Sequence, residues 1–156
     1  MVKTLVLGIG NTLLRDEGVG VHVINFLQQH HHDTLDTEFL DGGTLSFTLA
    51  GDIEGSEQLI VIDATQLQAE PGTVKTFVDE DMDTFLGQNR KMSVHEVGLL
   101  DLLHISRLAE RLPKRRALVG IQPESVDWGE QPTQKVAAAI PAASAQTLQL
   151  IADWSA

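Results

Sequence analysis

This chain of 156 residues contains no cysteine, and its basic residues are few, 11 against 22 acidic ones. Without cysteine there is no thiolate nucleophile, no thiolate-bound zinc or iron–sulfur cluster, and no disulfide framework. The formal charge of −11 at pH 7 sets the surface against phosphate backbones and anionic lipid, so neither nucleic acid nor membrane is an expected partner. The one basic cluster, Lys114-Arg115-Arg116, reads as a solvated strand entrance and is too short to reverse that balance. Long apolar runs are lacking as well. Residues 2–9 are apolar but stop at once at Asn11, Arg15, Asp16 and Glu17, whereas a spanning helix needs ~20 apolar residues and a signal peptide a small-residue cleavage site. A cytoplasmic location is the expectation.

What is present reads as one α/β domain over residues 1–156, with an ordinary 42% hydrophobic and 21% charged residues. Residues 2–8 (VKTLVLG) form a first strand ending at a Gly-x-Gly break, after which Asp16 can cap a helix carrying Val19, Val23, Phe26 and Leu27. Residues 37–40 are a second strand, ended by Asp41-Gly42-Gly43, with a short helix near 46–51. Residues 58–62 (QLIVI) have the unbroken apolar character of a strand buried on both faces. Pro71-Gly72 marks a turn before a fourth strand at 73–78, and a leucine-rich helix is expected from about 95 to 111. Residues 116–121 are the fifth strand, and a final helical segment follows Pro132, interrupted at Pro141. This alternation predicts a three-layer α/β/α domain around a largely parallel sheet, with ligands bound beyond the carboxyl ends of the strands.

The loops there lack the familiar devices. Gly8-Ile9-Gly10 is followed by Leu13 where a dinucleotide fingerprint needs a third glycine, and no Walker lysine appears. No Gly-x-Ser-x-Gly elbow is present, and His30-His31-His32 reads as a solvated helix end. What the loops do hold is Glu17 after strand one, Asp63 at the end of strand three, and His95 after strand four. Each has a plain structural alternative: a tight strand exit, a turn cap through Thr65, and a helix cap. His95-Glu96 is not a zincin helix, because position 99 is Leu99. Together, two carboxylates and one imidazole on one rim can bind a divalent first-row metal and leave positions open for water or substrate.

Several segments also fit a known family in order and spacing over nearly the whole chain. They are Gly8-Ile9-Gly10-Asn11, Asp16-Glu17-Gly18-Val19-Gly20, Asp41-Gly42-Gly43-Thr44 and Val61-Ile62-Asp63-Ala64. Ser93-Val94-His95-Glu96-Val97-Gly98-Leu99 and Gly120-Ile121-Gln122-Pro123-Glu124-Ser125 complete the set. This ordered set resembles the hydrogenase maturation endopeptidases. The resemblance implies a five-stranded sheet with an antiparallel fourth strand and an endopeptidase of metallo or aspartic type. Its client would be the precursor of a nickel–iron hydrogenase large subunit, from which it cuts a C-terminal extension after nickel insertion. It also implies that Glu17, Asp63 and His95 contact nickel delivered by the client, a site other divalent metals can occupy. Asp41, Gly42, Gly43, Gln122 and Pro123 are then expected to shape the groove for the tail. The water could be activated either by the metal or by a carboxylate. A non-catalytic nickel checkpoint and a small-molecule hydrolase or nucleoside phosphorylase are the alternatives, and a monomer is the default expectation.

Overall fold

The computed structural model describes residues 3–89 and 98–156. Five strands form one sheet: β1 Thr4–Ile9, β2 Thr37–Gly43, β3 Gln58–Ala64, β4 Val74–Val78 and β5 Arg115–Ile121. Their spatial order is β2-β1-β3-β5-β4, parallel throughout except that β4 runs antiparallel to β5. The mostly parallel sheet with a reversed fourth strand is therefore as expected.

Side-chain alternation along the central strands sorts their apolar residues into two cores. Val6, Ile60, Ile62 and Val119 pack on α1 (Val19–His31) and α6 (Ile140–Ser155) through Val23, Ile24, Leu27 and Trp154. Leu5, Leu7, Leu59, Val61 and Leu118 pack on α2 (Leu49–Glu54), α3 (Glu80–Gln88) and α4 (Leu99–Leu108) through Ile53, Met82, Leu102 and Leu103. Each fully buried aliphatic side chain of this kind contributes about 1.5–3 kcal/mol of burial, which is why these strands tolerate no polar residue mid-run.

Asp16 does not cap α1; it lies within a 3-10 turn, Arg15–Gly18, and Gly18 takes the N-cap position. β2 continues past Leu40 to Gly43, with an irregularity that pairs Gly8 with Asp41 but Ile9 with Gly43. The short second helix forms later than 46–51, at Leu49–Glu54. After a single turn, α5 (Gln134–Ala137), the interruption expected at Pro141 becomes the first turn of α6, where a missing N–H costs nothing.

The largest departure is at β4. Being antiparallel, it delivers the chain to the rim where the parallel strands begin: Val78 pairs with Ala117, and the Asp79 N–H donates to the Arg116 carbonyl at 2.6 Å. The loop after strand four therefore does not join the rim of strands one and three directly, as the sequence reading assumed. The chain first runs through α3, a helix that reading missed, which packs Met82 into the core and stacks Phe85 on Phe77 with ring centroids 4.0 Å apart. The leucine-rich helix is shorter than expected, Leu99–Leu108, with the Gly98 N–H held by Asp101 Oδ2 at 3.0 Å. Leu108 is exposed at its end rather than packed. The start of the helix expected from residue 95 falls outside the described residues.

The basic cluster is also corrected. Arg116 is buried, its guanidinium bound by the Asp83 carboxylate and by the carbonyls of Pro113 at 3.1 Å and Lys114 at 3.3 Å. Hydrogen bonding from Arg116 holds the Asp83 carboxyl below its ordinary pKa, against the opposing effect of burial. Arg115 lies over the Trp154 ring, 5.2 Å from its centroid, and only Lys114 and Arg115 remain exposed. Among the described residues no helix is long and apolar enough to cross a membrane.

Candidate functional site

The chain crosses one face of the sheet through α1 on its way from β1 to β2, and the other face through α2 on its way from β2 to β3. Strand order therefore reverses at β1, and a crevice opens between the carboxyl ends of β1 and β3, where open α/β sheets bind ligands. Asp63, the penultimate residue of β3, is half-buried there. Glu17, in the 3-10 turn that follows β1, is half-buried too.

Two glycines set the approach of these segments. A Cβ on Gly20 would stand 2.2 Å from the Ile62 carbonyl oxygen and 2.5 Å from that of Ile9, so the first turn of α1 rests directly on the ends of both strands. Gly10, at φ +141°, lets the exit loop fold back until a Cβ there would lie 1.9 Å from the Glu17 carbonyl oxygen. Glu17 precedes Gly20 by three residues and Asp63 follows Ile62, so one packing contact fixes both carboxylate-bearing segments. Thr65 donates its hydroxyl to the Asp63 main-chain carbonyl at 3.2 Å, turning the chain away from the sheet.

Asp16, expected as a helix cap, instead anchors a distant loop. Its carboxylate is buried and accepts from the backbone N–H groups of Glu124 (2.8 Å), Ser125 (3.0 Å) and Thr133 (2.7 Å) and from the Thr133 hydroxyl (2.8 Å). Burial alone would push its pKa up, but those hydrogen bonds outweigh it and hold the carboxyl below the ordinary value. The loop after β5 is thereby clipped to the loop after β1. Backbone bonds reinforce the clip, from Asp16 to Ser125 at 3.1 Å, from Arg15 to Gly129 at 2.9 Å and from Gly129 to Leu13 at 2.9 Å. Arg15 adopts φ +43°, a left-handed conformation unfavourable to a β-carbon, one residue before this anchor. No local pattern could have revealed the clip, because its partners lie more than a hundred residues away in the chain.

The remaining expected residues fall around the same rim in different roles. Asp41 is exposed, and its Oδ1 accepts the Gly43 N–H at 2.8 Å, while Gly43 accepts the Gly10 N–H at 2.8 Å and so ties this loop to the first. Gln122 is buried: its Oε1 accepts the Leu67 N–H at 2.6 Å, and its amide donates to Gln66 at 3.1 Å and to the Pro123 carbonyl at 3.2 Å. Its side chain thus braces the segment that follows Asp63, with Pro123 half-buried beside it. His95 lies outside the described residues. Among the described residues no group of three His, Cys, Asp or Glu is placed to hold a metal ion. Glu17 and Asp63 offer hard oxygen donors suited to a divalent cation, and neither is a complete site. A cleft lined by Asp79, Glu80, Asp81 and Arg116 lies at the opposite rim.

A family model described as hydrogenase maturation protease matches residues 21–150. The HupD hydrogenase expression/formation protein of Rhodobacter capsulatus is 37% identical over 153 residues, covering 97% of this chain and 72% of that protein. The hydrogenase 2 maturation protease of Escherichia coli K12 is 38% identical over 127 residues, covering 81% of this chain and 76% of that one. Among solved structures, the hydrogenase maturating endopeptidase HybD from E. coli superposes with a TM-score of 0.86 at 35% identity, over 97% of this chain and 93% of its own.

Proposed function

Because the chain belongs to the hydrogenase maturation protease family and is an endopeptidase, we propose that it removes the C-terminal extension of a nickel–iron hydrogenase large-subunit precursor once nickel has been inserted. The observation that carries this reading is the seating of Gly20 on Ile62 and Ile9, which holds the Glu17 turn against the strand end bearing Asp63 at the switch point of the sheet.

Nickel in this reading is part of the substrate, arriving on the client. Glu17, Asp63 and His95 contact it, two carboxylates and an imidazole that leave coordination positions for the client's own ligands. A precursor without nickel lacks that anchor and is spared, which gives the order of maturation a physical basis. Other divalent metals can fill the same ligand set. Hydrolysis then proceeds by one of two routes: the client's metal polarises the scissile carbonyl as a Lewis acid, or a carboxylate of the pair takes the proton of the attacking water. The exposed Asp41, with Gly42 and Gly43, borders the groove for the tail, and Gln122 with Pro123 holds the facing segment in shape.

The test mixes the purified protein with nickel-loaded and nickel-free precursor and weighs the products by mass spectrometry. Loss of a short C-terminal peptide from the nickel-loaded form alone is expected. Cleavage of both forms would remove nickel as the anchor while keeping the protease. Nickel-dependent binding without any cleavage would make the chain a checkpoint instead.

A further inference from the structure

Large apolar side chains exposed to solvent are unevenly placed on this molecule. Among the described residues, Leu13, Phe47, Val126 and Trp128 lie on loops that follow parallel strands, on the rim of Glu17 and Asp63. Leu35 and Leu108 are at the other end, ahead of β2 and β5. Three of the first group sit on the two loops that Asp16 clips together: Leu13 is 51% exposed, Val126 51% and Trp128 78%. A tryptophan this exposed is unusual, and this one is not on a free loop. Its neighbour Gly129 both donates to Leu13 and accepts from Arg15, and Ser125 is held by Asp16. The backbone is therefore fixed before any partner arrives, which lowers the ordering cost of binding. Three acidic residues, Glu124, Asp127 and Glu130, flank Trp128 in sequence, against two cations: Lys135, which pairs with Glu124 at 4.0 Å, and Arg15, whose side chain packs against Gly129.

We propose that the paired loops carrying Leu13, Val126 and Trp128 form a docking ridge for the precursor, seating a segment that presents an apolar side chain next to basic ones. The apolar members supply burial, and the acidic excess of residues 124–130, on a chain of net charge −11, supplies charge complementarity. Leu13 is four residues from Glu17 on the same loop, so a client whose scissile bond reaches Glu17 meets this ridge in passing. The inference rests on the processing activity proposed above, and it makes recognition of the protein body separate from recognition of nickel.

The experiment compares Trp128→Ser with the wild type on full-length nickel-loaded precursor, reading kcat and KM for cleavage and, independently, the Kd for the same precursor in the absence of turnover. Leu108→Ser, equally exposed at the opposite rim, is the control. Loss of Trp128 is expected to raise KM and Kd by roughly tenfold or more, with kcat and melting temperature unchanged. Asp127→Asn with Glu130→Gln is expected to weaken binding at low salt and to flatten its salt dependence. Wild-type KM and Kd in Trp128→Ser would overturn the ridge while leaving the protease intact. A wild type that binds the precursor through Trp128 but never cleaves it would overturn the proposed activity and keep the ridge. A dimer of the chain alone, lost in Trp128→Ser, would make the ridge a self-association surface and sink the proposal.

Discussion

Asp16→Ala should be among the most damaging single substitutions on the rim. The side chain is fully buried and accepts from three backbone amides and one hydroxyl, all between 2.7 and 3.0 Å. A hydrogen bond to a charged acceptor contributes roughly 1.5–3 kcal/mol, and a buried donor left alone costs about 1–3 kcal/mol. Glu124 is exposed and Ser125 half-exposed, so water can reach part of the gap and the lower figures apply. About 1 kcal/mol per lost partner gives a loss of about 3–4 kcal/mol, a large share of the 5–15 kcal/mol that holds a typical domain together. With a urea m-value of about 2 kcal/mol/M, the unfolding midpoint should fall by roughly 1.5–2 M. Asp16→Asn keeps one acceptor oxygen and should lose about half as much. If the loop after β5 detaches instead of passing its cost to the whole fold, the amides of Ser125 and Thr133 will exchange with solvent far faster while the midpoint moves less. An unchanged midpoint together with unchanged exchange at those amides would refute the reasoning.

Asp83→Asn leaves the buried Arg116 guanidinium short of its carboxylate and should cost about 2 kcal/mol near neutral pH. Because the folded pKa of Asp83 is lowered, its contribution is present above the unfolded carboxylate value of about 3.9 and is lost as pH falls through the folded value; the wild-type and variant stability curves should converge in acid, and a constant gap would contradict this. Gly20→Ala forces a β-carbon against two backbone carbonyl oxygens that cannot give cheaply, so stability should fall by about 3 kcal/mol or more and, in the protein that remains folded, a ~1 Å shift of the Glu17 turn should cut cleavage by about a hundredfold; wild-type turnover would show that this contact does not position the site. Glu17→Gln should weaken binding to nickel-loaded precursor by about tenfold or more and leave nickel-free precursor almost untouched, which a pull-down on both forms measures. His95→Ala should abolish processing with a melting temperature close to wild type; normal cleavage would remove His95 from the site.

The parts of the fold legible in the sequence are those where burial leaves one option. β1, β3 and β5 stand between two cores, so residues such as Leu59, Ile60, Val61 and Ile62 must all be apolar, and the run announces itself. α3 was not legible because it buries only Met82 fully and opens on Glu80, Asp81 and Asp83, a stretch that reads as solvated loop. Its acids are nevertheless in the right place for a helix amino terminus, and Met82, Phe85 and Leu86 recur at helical spacing. Arg116 was misread for a related reason. A basic residue at a strand entrance is solvated by default, and only the missed helix supplies the carboxylate that lets it be buried.

The same distinction separates the two kinds of residue at the rim. Glu17 and Asp63 could be nominated from sequence because one lies in the loop after β1 and the other near the end of β3, two strands whose identity was plain, and a parallel sheet gathers its strand ends on one side. Asp16, one residue from Glu17, ties the loop after β5 to this turn, and its chemistry is set by Glu124, Ser125 and Thr133. A carboxylate in a run of Arg-Asp-Glu gives no hint whether it faces a ligand or a distant loop. The choice matters for function, because a ligand carboxylate must stay available to the client while a clip must not. Asp16 accepts from three main-chain N–H groups and the Thr133 hydroxyl, so its carboxylate is committed to support. In the proposed reading Asp16 holds the turn and Glu17 meets the client, so the double variant Asp16→Asn, Glu17→Gln should lose stability as Asp16→Asn alone does and client binding at least as much as Glu17→Gln alone does.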